Sequence, residues 1–313
     1  MTEIITSTKD LPHDKWLEIR RTGIGGSDAA TVVGLNPYSS LFKLYADKKA
    51  LIPAADDTEV MRQGRDFEEY VARRFCEATG KKVRRRNFMF RSAEHPVMIA
   101  DIDREIVGEN AGLECKTTSL FNKHDFEGGE IPLYYYVQMT HYMAVMGYDR
   151  MYLAVLVLSK AFYWFVIERD EGEINELVSS EDRFWHDYVI TDTPPAPDGS
   201  EATSEAIKAI YNDDVARDLT TPVPDELMTS YEAAKSLHDE AKNKLDELKA
   251  RIQLTLGECG CGESKGYKVS WLPQSRTTID SKKLKSEFPE AYEECRKTSR
   301  TRVLKVNKTK MEE

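Results

Sequence analysis

Residues 97–118 read VMIADIDREIVGENAGLECKTT. This stretch contains two short extended runs, Val97–Ile102 and Leu113–Thr117, and a polar loop between them that includes Gly108 and Asn110. Two apolar runs joined by a loop rich in glycine and asparagine are typical of a β-hairpin. We therefore predict that the two runs pair as strands.

The charged side chains of this stretch are predicted to meet on one face of the sheet. Successive side chains alternate between the two faces of a strand, so Glu114 and Lys116 point to the same side. Asp103 follows the first run and would lie beside them if the strands pair. Two carboxylates and one ammonium group are thus predicted to share a small volume.

Such a trio can support metal-assisted cleavage of a phosphodiester. Carboxylates, water and a phosphate oxygen are the hard ligands that Mg²⁺ prefers, and the metal stabilises the attacking hydroxide and the charge of the transition state. Lys116 can orient the attacking water or neutralise the phosphate. The alternative is a surface strand with an ordinary Glu/Lys pair, because such exposed pairs are common and weak. Spacing alone leaves both interpretations open.

The composition indicates a globular protein with a large core. The chain has 313 residues, of which 41 % are hydrophobic, enough for one large domain and an appendage. No run of about 18 apolar residues is present, and the N-terminus lacks the basic and apolar regions of a secretory signal. The expected location is the cytoplasm, that of the host cell if a phage or prophage encodes the chain.

The five cysteines are scattered and odd in number, which favours reduced thiols over a disulfide framework. Cys259, Cys261 and Cys295 could together bind a metal or an iron–sulfur cluster. The usual Cys-x-x-Cys pairs of such sites are missing, however.

The formal net charge of −10 is unexpected for a protein that would bind DNA phosphates. The distribution of charge matters more than the total, and a metal-dependent nuclease must collect carboxylates at its site. Basic residues are concentrated at Arg20, Arg21, Lys81, Lys82, Arg84, Arg85, Arg86 and Arg91. They are candidates for a phosphate track, and a solvated charged edge around a strand at 83–90 is the alternative.

The segment GIGGS at 23–27 is a second candidate site. Helices are predicted on either side of it, over Asp14–Arg21 and Asp28–Val33, and Ser27 is well placed as the N-cap of the second helix. The glycines could also leave backbone amides open to an anion, with Arg20 close enough to hold a phosphate.

A long amphipathic helix is predicted over Glu59–Thr79. Its predicted buried stripe consists of Val60, Met61, Phe67, Val71, Phe75 and Cys76. Glu68 lies one residue from this stripe, with Glu69 as its rival for a place in the site. Both carboxylates could instead be solvated, as glutamates usually are.

A further helix is predicted to begin at Pro132 and to end before Gly147, because proline suits a first turn and glycine suits a helix exit. Gln138, His141 and Tyr142 share one face of this helix. Either this face turns into the cleft, or its polar groups are satisfied within the interface. The preceding segment, 121–130, is polar and is predicted to be mobile and near the substrate.

The second half of the chain adds further elements. Met151–Leu158 and Ala161–Glu168 are predicted strands, and helical periodicity returns over 172–190. Mixed strands surrounded by helices predict an α/β fold. A coiled-coil-like helix is indicated by Leu227, Tyr231, Ala234, His238, Ala241, Leu245, Leu248 and Ile252. Strands at Gly266–Trp271 and Arg302–Val306 are predicted to flank a helix at 281–297. The predicted divisions are a core over 1–195, a helical extension over 196–256 and a small α/β tail over 257–313.

Several segments together resemble a known family. The matching segments are WLEIRRTGIGGSDAA at 16–30, GRDFEEYVARRF at 64–75, ADIDREI at 100–106, LECKT at 113–117 and VQMTHYMAVMG at 137–147. In this order, and over roughly residues 12–190, they resemble the YqaJ-type viral recombinase exonucleases. That branch of the PD-(D/E)xK nuclease superfamily is related to bacteriophage lambda exonuclease. The resemblance implies a restriction-endonuclease-like α/β core, a central mixed sheet flanked by helices, with a C-terminal helical and small α/β extension.

The resemblance implies roles for the residues of the predicted catalytic site. Asp103, Glu114 and Glu68, with the backbone carbonyl of Cys115, would bind Mg²⁺, for which Mn²⁺ can substitute. Lys116 would be the base that orients water and phosphate.

The resemblance also implies a substrate and an assembly. Gln138 would support the catalytic site, and Arg20 and Ser27 would bind a terminal 5′-phosphate. The implied activity is 5′-to-3′ degradation of linear double-stranded DNA that leaves 3′ single-stranded tails for recombination, by a ring-shaped homotrimer with a single-strand annealing protein as partner. An endonuclease with the same site and a non-catalytic DNA-binding or assembly module are the alternatives.

Overall fold

The computed structural model of the protein describes residues 2–54, 57–119, 126, 128–211, 220–297 and 302–306. Most of the segment 121–130, which was predicted to be mobile, lies outside the described residues. The chain divides into two compact units, Met1–Asn212 and Asp213–Glu313. None of the helices in the described ranges combines the length and apolar character that a membrane span requires.

The first unit contains both strands and helices. Its strands are β1 (Thr2–Ser7), β2 (Val83–Arg84), β3 (Phe88–Ser92), β4 (Ile99–Ala100), β5 (Arg104–Ile106), β6 (Ala111–Thr118), β7 (Arg150–Val157) and β8 (Ala161–Glu168). Its helices are α1 (His13–Arg20), α2 (Gly26–Val32), α3 (Leu41–Lys48), α4 (Glu59–Thr79), α5 (Leu133–Met146), α6 (Glu171–Phe184), which a π-helical turn over Trp185–Ile190 extends, and α7 (Glu201–Ile210).

A mixed sheet in the order β2-β5-β6-β7-β8 forms the centre of this unit, and β1, β3 and β4 form a smaller sheet. β6 and β7 are parallel, whereas the other neighbours in the central sheet are antiparallel. Parallel strands need a long crossover, which here contains α5. Met139 and Met143 of α5 are buried together with Leu153 and Val155 of β7. The predicted α/β class and the two strands after residue 150 are confirmed.

The predicted hairpin exists, but its first strand was assigned wrongly. β5 pairs with β6, with Arg104 opposite Leu113. The run Val97–Ile102 instead supplies β4, which pairs with β3 in the smaller sheet, where Ala100 lies opposite Phe90. The chain therefore changes sheets at about Asp103, a switch that apolar periodicity does not reveal because both strands are buried.

The long helix α4 has the predicted bounds, but only part of its predicted apolar stripe is buried. Val71 and Phe75 pack with Leu113 of the central sheet. Val60 and Met61, in the first turn, are 78 % and 46 % exposed. Phe67, which was also predicted to be buried, is exposed as well. The helix thus contacts the sheet mainly through its C-terminal half, and helical periodicity does not show where that contact begins.

The helix α2 begins at a close approach to α5. A Cβ atom on Gly26 would lie 2.6 Å from a ring carbon of Tyr142, so a larger residue would push the two helices apart. The predicted N-cap is wrong, because the N-cap is Gly25 and Ser27 lies within the first turn. The Asp28 carboxylate accepts a hydrogen bond from the Gly25 amide at 3.0 Å, which performs the capping.

The second unit contains α8 (Asp225–Leu256), a hairpin of β9 (Cys261–Ser264) and β10 (Tyr267–Ser270), and two short helices, α9 (Ser281–Glu287) and α10 (Pro289–Cys295). The long helix and the strand near 267 are confirmed. The single helix predicted at 281–297 is wrong, because Pro289 begins a new helix and disfavours a helical conformation at the residue before it. The strand predicted at Arg302–Val306 is also wrong, since these residues have no regular structure.

Candidate active site

The site lies where the N-terminal end of β5 meets the middle of β6. The Cys115 amide donates a hydrogen bond to Oδ2 of Asp103 at 2.7 Å, which holds that carboxylate against β6. On the neighbouring residues of β6, Nζ of Lys116 donates to Oε1 of Glu114 at 2.6 Å. The structure therefore brings the three charged residues of the predicted trio together, although the hairpin that does so differs from the predicted one.

Gln138 on α5 is a second hydrogen-bond donor to the Glu114 carboxylate. Its Nε2 donates to Oε1 of Glu114 at 2.8 Å and also lies 3.0 Å from the hydroxyl of Tyr142. Both Gln138 and Glu114 are buried. The other oxygen of Glu114, Oε2, is buried without a hydrogen-bond partner. Buried polar atoms are normally satisfied, so this oxygen can accept a further ligand.

The electrostatics of the site indicate a deficit of positive charge. Burial raises the pKa of Asp103 well above its usual range, and the charges of Glu114 and Glu68 raise it further. Burial also raises the pKa of Glu114, although Lys116 opposes this change. For Lys116 itself, burial lowers the pKa, but Glu114 and Asp103 outweigh burial, so its pKa is raised. One lysine does not neutralise the negative charge gathered here.

Glu68 of α4 is close enough to influence Asp103, but an arginine holds its carboxylate. Nη1 of Arg104 donates to Oε1 of Glu68, and Nη2 of the same arginine donates to Glu69 at 3.0 Å. The two rival glutamates therefore share one guanidinium. Within the described residues, no three His, Cys, Asp or Glu side chains are arranged as a ready metal-binding group.

The residues present nevertheless fit a divalent cation. Mg²⁺ is commonly held by one or two carboxylates, with water and substrate phosphate filling its other positions. The unpartnered oxygen of Glu114 and the neighbouring Asp103 supply two hard oxygen ligands. The surplus negative charge at the site is what such a cation would neutralise. Glu68 could join them only by giving up its pairing with Arg104.

The two residues of the second candidate site, Arg20 and Ser27, are also in contact. Nη2 of Arg20, at the end of α1, donates to Oγ of Ser27 at 2.8 Å and to Oδ1 of Asp28 at 3.0 Å. Oδ2 of Asp28 accepts a hydrogen bond from Nζ of Lys48 at 2.7 Å. Burial alone would raise the pKa of Asp28, but the two cations outweigh burial and hold that pKa well below its usual range.

A residue that sequence reasoning missed lies between the two sites. Nε1 of Trp16 donates to Oδ2 of Asp101 at 2.9 Å, and the guanidinium of Arg20 lies 5.0 Å from the centre of the Trp16 ring. The charge of Glu68 contributes to a raised pKa at Asp101, after burial. The signal was available, because Asp101 and Asp103 stand two apart in an extended segment and so share a face.

His141, by contrast, does not take part in the site. It is fully buried, with Nδ1 2.9 Å from Oε1 of Glu181 and Nε2 2.9 Å from the carbonyl oxygen of Ile99. Its ring therefore joins α5 to α6 and to the smaller sheet. On this helix face, Gln138 is hydrogen-bonded to Glu114 of the candidate site, whereas the polar groups of His141 are satisfied within the interface.

The basic residues predicted as a phosphate track largely form ion pairs in the structure. The pairs are Arg21–Asp47, Lys81–Glu109, Arg84–Glu105, Arg85–Glu69 and Arg86–Glu105. Such surface pairs contribute little stability, so DNA phosphates can compete for these cations. The track stays a prediction, and it implies that DNA binding depends steeply on salt.

The central mixed sheet and the crossover helix α5 form the predicted α/β fold, and this fold carries the motif Asp103, Glu114-x-Lys116. Residues 15–149 match the YqaJ-like viral recombinase domain. The chain belongs to this YqaJ-like viral recombinase family.

Relatives of this chain include bacterial and viral proteins. The protein named "Uncharacterized protein YqaJ" from Bacillus subtilis (strain 168) is 38 % identical over 306 residues, which cover 96 % of each chain. Protein D345L of African swine fever virus (strain Badajoz 1971 Vero-adapted) is 36 % identical over 85 residues, 25 % of each chain. The crystal structure of LHK-Exo, an alkaline exonuclease from Laribacter hongkongensis, in complex with dAMP has a TM-score of 0.50 at 17 % identity and covers 57 % of this chain and 94 % of that chain.

Proposed function

We propose that this protein is a Mg²⁺-dependent exodeoxyribonuclease that degrades linear double-stranded DNA from the 5′ end and leaves 3′ single-stranded tails. The observation that carries the proposal is the difference in hydrogen bonding between the two carboxylate oxygens of Glu114. One of its oxygens is held by Lys116 and Gln138, while the other is buried with no hydrogen-bond partner, and the charge of Glu114 acts on Asp103. A carboxylate that is positioned on one side and unsatisfied on the other is suited to hold a cation.

Asp103 and Glu114 would hold the Mg²⁺ or Mn²⁺, with Glu68 and the backbone carbonyl of Cys115 as further oxygen donors. When bound, the metal supplies an activated water and positive charge for the scissile phosphate. Gln138 fixes the orientation of Glu114, since its amide donates to the oxygen that also contacts Lys116.

Lys116 acts in this proposal as a charged hydrogen-bond donor. Its raised pKa keeps the ammonium protonated at neutral pH, because the neighbouring carboxylates favour the charged form. A protonated lysine orients the attacking water and neutralises the phosphate through its N–H groups. This role differs from that of a base, which would have to release its proton before the reaction.

The Arg20–Ser27 pair gives the proposed direction of digestion. A guanidinium and a hydroxyl that already touch can share the oxygens of one phosphate group. If this group is the 5′-terminal phosphate, the enzyme engages the strand at its 5′ end. In this proposal the enzyme works as a ring-shaped homotrimer in the host-cell cytoplasm. The tails it leaves are passed to a single-strand annealing protein for phage-type recombination.

The test uses end-labelled linear duplexes with a 5′-phosphate or a 5′-hydroxyl and a covalently closed circle of the same sequence, each with Mg²⁺ or EDTA. We expect Mg²⁺-dependent loss of the 5′ label, faster on phosphorylated ends, with the circle intact. Nicking of the circle would identify an endonuclease instead. DNA binding without cleavage of any substrate would leave a non-catalytic module.

A further inference from the structure

Arg20 and Ser27 form the proposed 5′-phosphate pocket. The charges of Arg20, Asp28 and Lys48, at and beneath this pocket, do not sum to zero. Asp28 contacts Arg20 at 3.0 Å and Lys48 at 2.7 Å, so one carboxylate serves two cations. We infer that Lys48, which lies under the pocket, sets its positive charge and thereby its preference for a terminal phosphate over other DNA groups. This inference rests on the proposed function, because it deepens the role of the 5′-phosphate pocket.

Lys48 is enclosed and does not reach the substrate. Its side chain is 1 % exposed, and Nζ donates to Oδ2 of Asp28 and, at 2.9 Å, to the backbone carbonyl of Arg20. A buried ammonium is costly unless an anion compensates it, and Asp28 is the anion here. Lys48 is therefore a positioning residue that acts on the pocket through Asp28 and Arg20.

The part of this group that faces outward is Arg20. Its side chain is 24 % exposed, and the Ser27 it contacts is exposed as well. If Lys48 were absent, Asp28 would neutralise Arg20 and the pocket would carry no net charge. With Lys48 present, the carboxylate is shared and the group keeps a surplus of one positive charge. Two other carboxylates lie near Arg20. Asp47 pairs with Arg21 at 3.0 Å and Asp101 accepts a hydrogen bond from Trp16, and among the described ion pairs neither is joined to Arg20.

This surplus distinguishes among the phosphate groups of DNA. A terminal phosphate monoester carries about −1.5 to −2 charges at pH 7, whereas each phosphodiester within the strand carries one. In a partly buried pocket, where screening is weak, an extra positive charge favours the more highly charged group. A 5′-hydroxyl end offers the pocket no terminal charge at all. The group is thus suited to recognise a 5′-phosphorylated terminus.

The inference is tested with Lys48→Met, with the double variant Asp28→Asn/Lys48→Met, and with Lys49→Met as a matched control. Lys49 lies next in sequence, pairs with Asp192 at 3.0 Å and is partly exposed. The readout is the ratio of affinities for 5′-phosphorylated and 5′-hydroxyl duplexes in EDTA. KM and kcat for both duplexes are then measured in Mg²⁺.

We expect Lys48→Met to lower the affinity ratio about tenfold, with the effect in KM for phosphorylated ends and kcat little changed. The double variant removes one positive and one negative charge, so it should recover the wild-type ratio to within about threefold. Lys49→Met should leave the ratio unchanged. If Lys48→Met does not fold, the double variant decides alone, because only a charge effect lets it keep the wild-type ratio.

Two outcomes would overturn the inference. Lys48→Met could weaken binding of both duplexes equally, or the double variant could have a ratio as low as the single variant. Either result would assign Lys48 a purely structural role. The binding ratio also separates this inference from the proposed function. A wild-type protein that prefers phosphorylated ends but cleaves nothing would contradict only the proposed function, whereas one that cleaves without any such preference would contradict the inference.

Discussion

Asp28 and Asp103 are both partly buried aspartates, yet their surroundings act on them in opposite ways. Asp28 lies between Arg20 and Lys48, and its pKa is held well below the usual range. Asp103 has Glu114 and Glu68 for neighbours, and its pKa is raised well above that range, with burial as the largest cause. The residue type is the same, and the partners determine the difference.

This contrast indicates the charge of the ligand that suits each site. Around Asp103 the carboxylates outnumber the cations, which favours a bound cation. Around Asp28 the cations outnumber the carboxylates, which favours a bound anion. A metal and a terminal phosphate are the two ligands that the proposed function requires. The net charge of −10 conceals this arrangement, because it sums over both sites.

The largest expected effect comes from removing charge at the acidic site. Glu114→Gln keeps the shape of the side chain but weakens its hold on a cation, so we expect cleavage of linear duplex to fall by at least about 1000-fold. DNA binding in EDTA should stay within about threefold of wild type, because the Arg20 pocket is unchanged.

Glu109→Gln is the matched control for this substitution. Glu109 pairs with Lys81 in the loop between β5 and β6, away from the proposed metal ligands, so its loss should change cleavage less than about twofold. Equal loss of activity in the two variants would contradict the assignment of Glu114. The measurements are initial rates on end-labelled duplex and affinities from fluorescence anisotropy.

The next effect concerns Asp28 and the pH dependence of the protein's stability. A carboxylate whose pKa is lowered on folding adds stability above its unfolded pKa of about 3.9, and this stability is lost as the pH falls toward the folded pKa. Asp28→Asn leaves Lys48 and Arg20 without their shared anion. We expect it to lower the free energy of unfolding by roughly 3 kcal/mol at pH 7, with a smaller difference below pH 4.

Asp103→Asn should change the free energy of unfolding in the opposite direction. Urea titrations of both variants and of wild type, at pH 7 and below pH 4, measure these changes. A carboxylate whose pKa is raised on folding contributes its stability at low pH and loses it as the pH rises through the folded pKa. In EDTA, Asp103→Asn should therefore stabilise the protein at pH 7 relative to wild type, and the gain should shrink in acid. Two variants with the same sign would mean that the contrast between the sites is wrong.

The sequence predicted the parts of this arrangement that depend on local pattern. The bounds of α4, the strands β7 and β8, and the shared face of Gln138 and Tyr142 on α5 follow from periodicity and from proline and glycine positions. Arg20 and Ser27 were paired through the family resemblance, and the structure places them in contact.

Other features depend on contacts between distant parts of the chain, which periodicity does not encode. Lys48 reaches Asp28 across 20 positions, and a lysine near the end of a helix resembles any solvated lysine until α3 is packed against α2. The same holds for Arg104, whose pairing with Glu68 spans 36 positions and engages a carboxylate that was predicted to bind the metal. The exposed first turn of α4 was missed because an apolar stripe does not reveal its partner.

A smaller effect is expected from adding the metal to the folded protein. If Mg²⁺ binds only the folded state, a concentration about 100 times Kd stabilises it by roughly 2.7 kcal/mol. We expect this as a rise in melting temperature that Asp103→Asn and Glu114→Gln abolish and Glu109→Gln retains. A Mg²⁺-dependent rise that survives in both acidic-site variants would place the cation elsewhere.

The smallest predicted effect concerns Gln138, the residue of α5 that donates a hydrogen bond to Glu114 in the acidic site. Gln138→Leu removes the hydrogen bond to Oε1 of Glu114 without changing the charge of any group, so Lys116 remains as a partner of that oxygen. We expect about a tenfold loss in kcat, the equivalent of roughly 1.4 kcal/mol, with the preference for 5′-phosphate unchanged. Tyr142→Phe is the control, because its hydroxyl contacts Gln138 but not the carboxylate in the described network, and it should cost less than about threefold. A larger loss in Tyr142→Phe than in Gln138→Leu would mean that the tyrosine, rather than the glutamine, supports the acidic site.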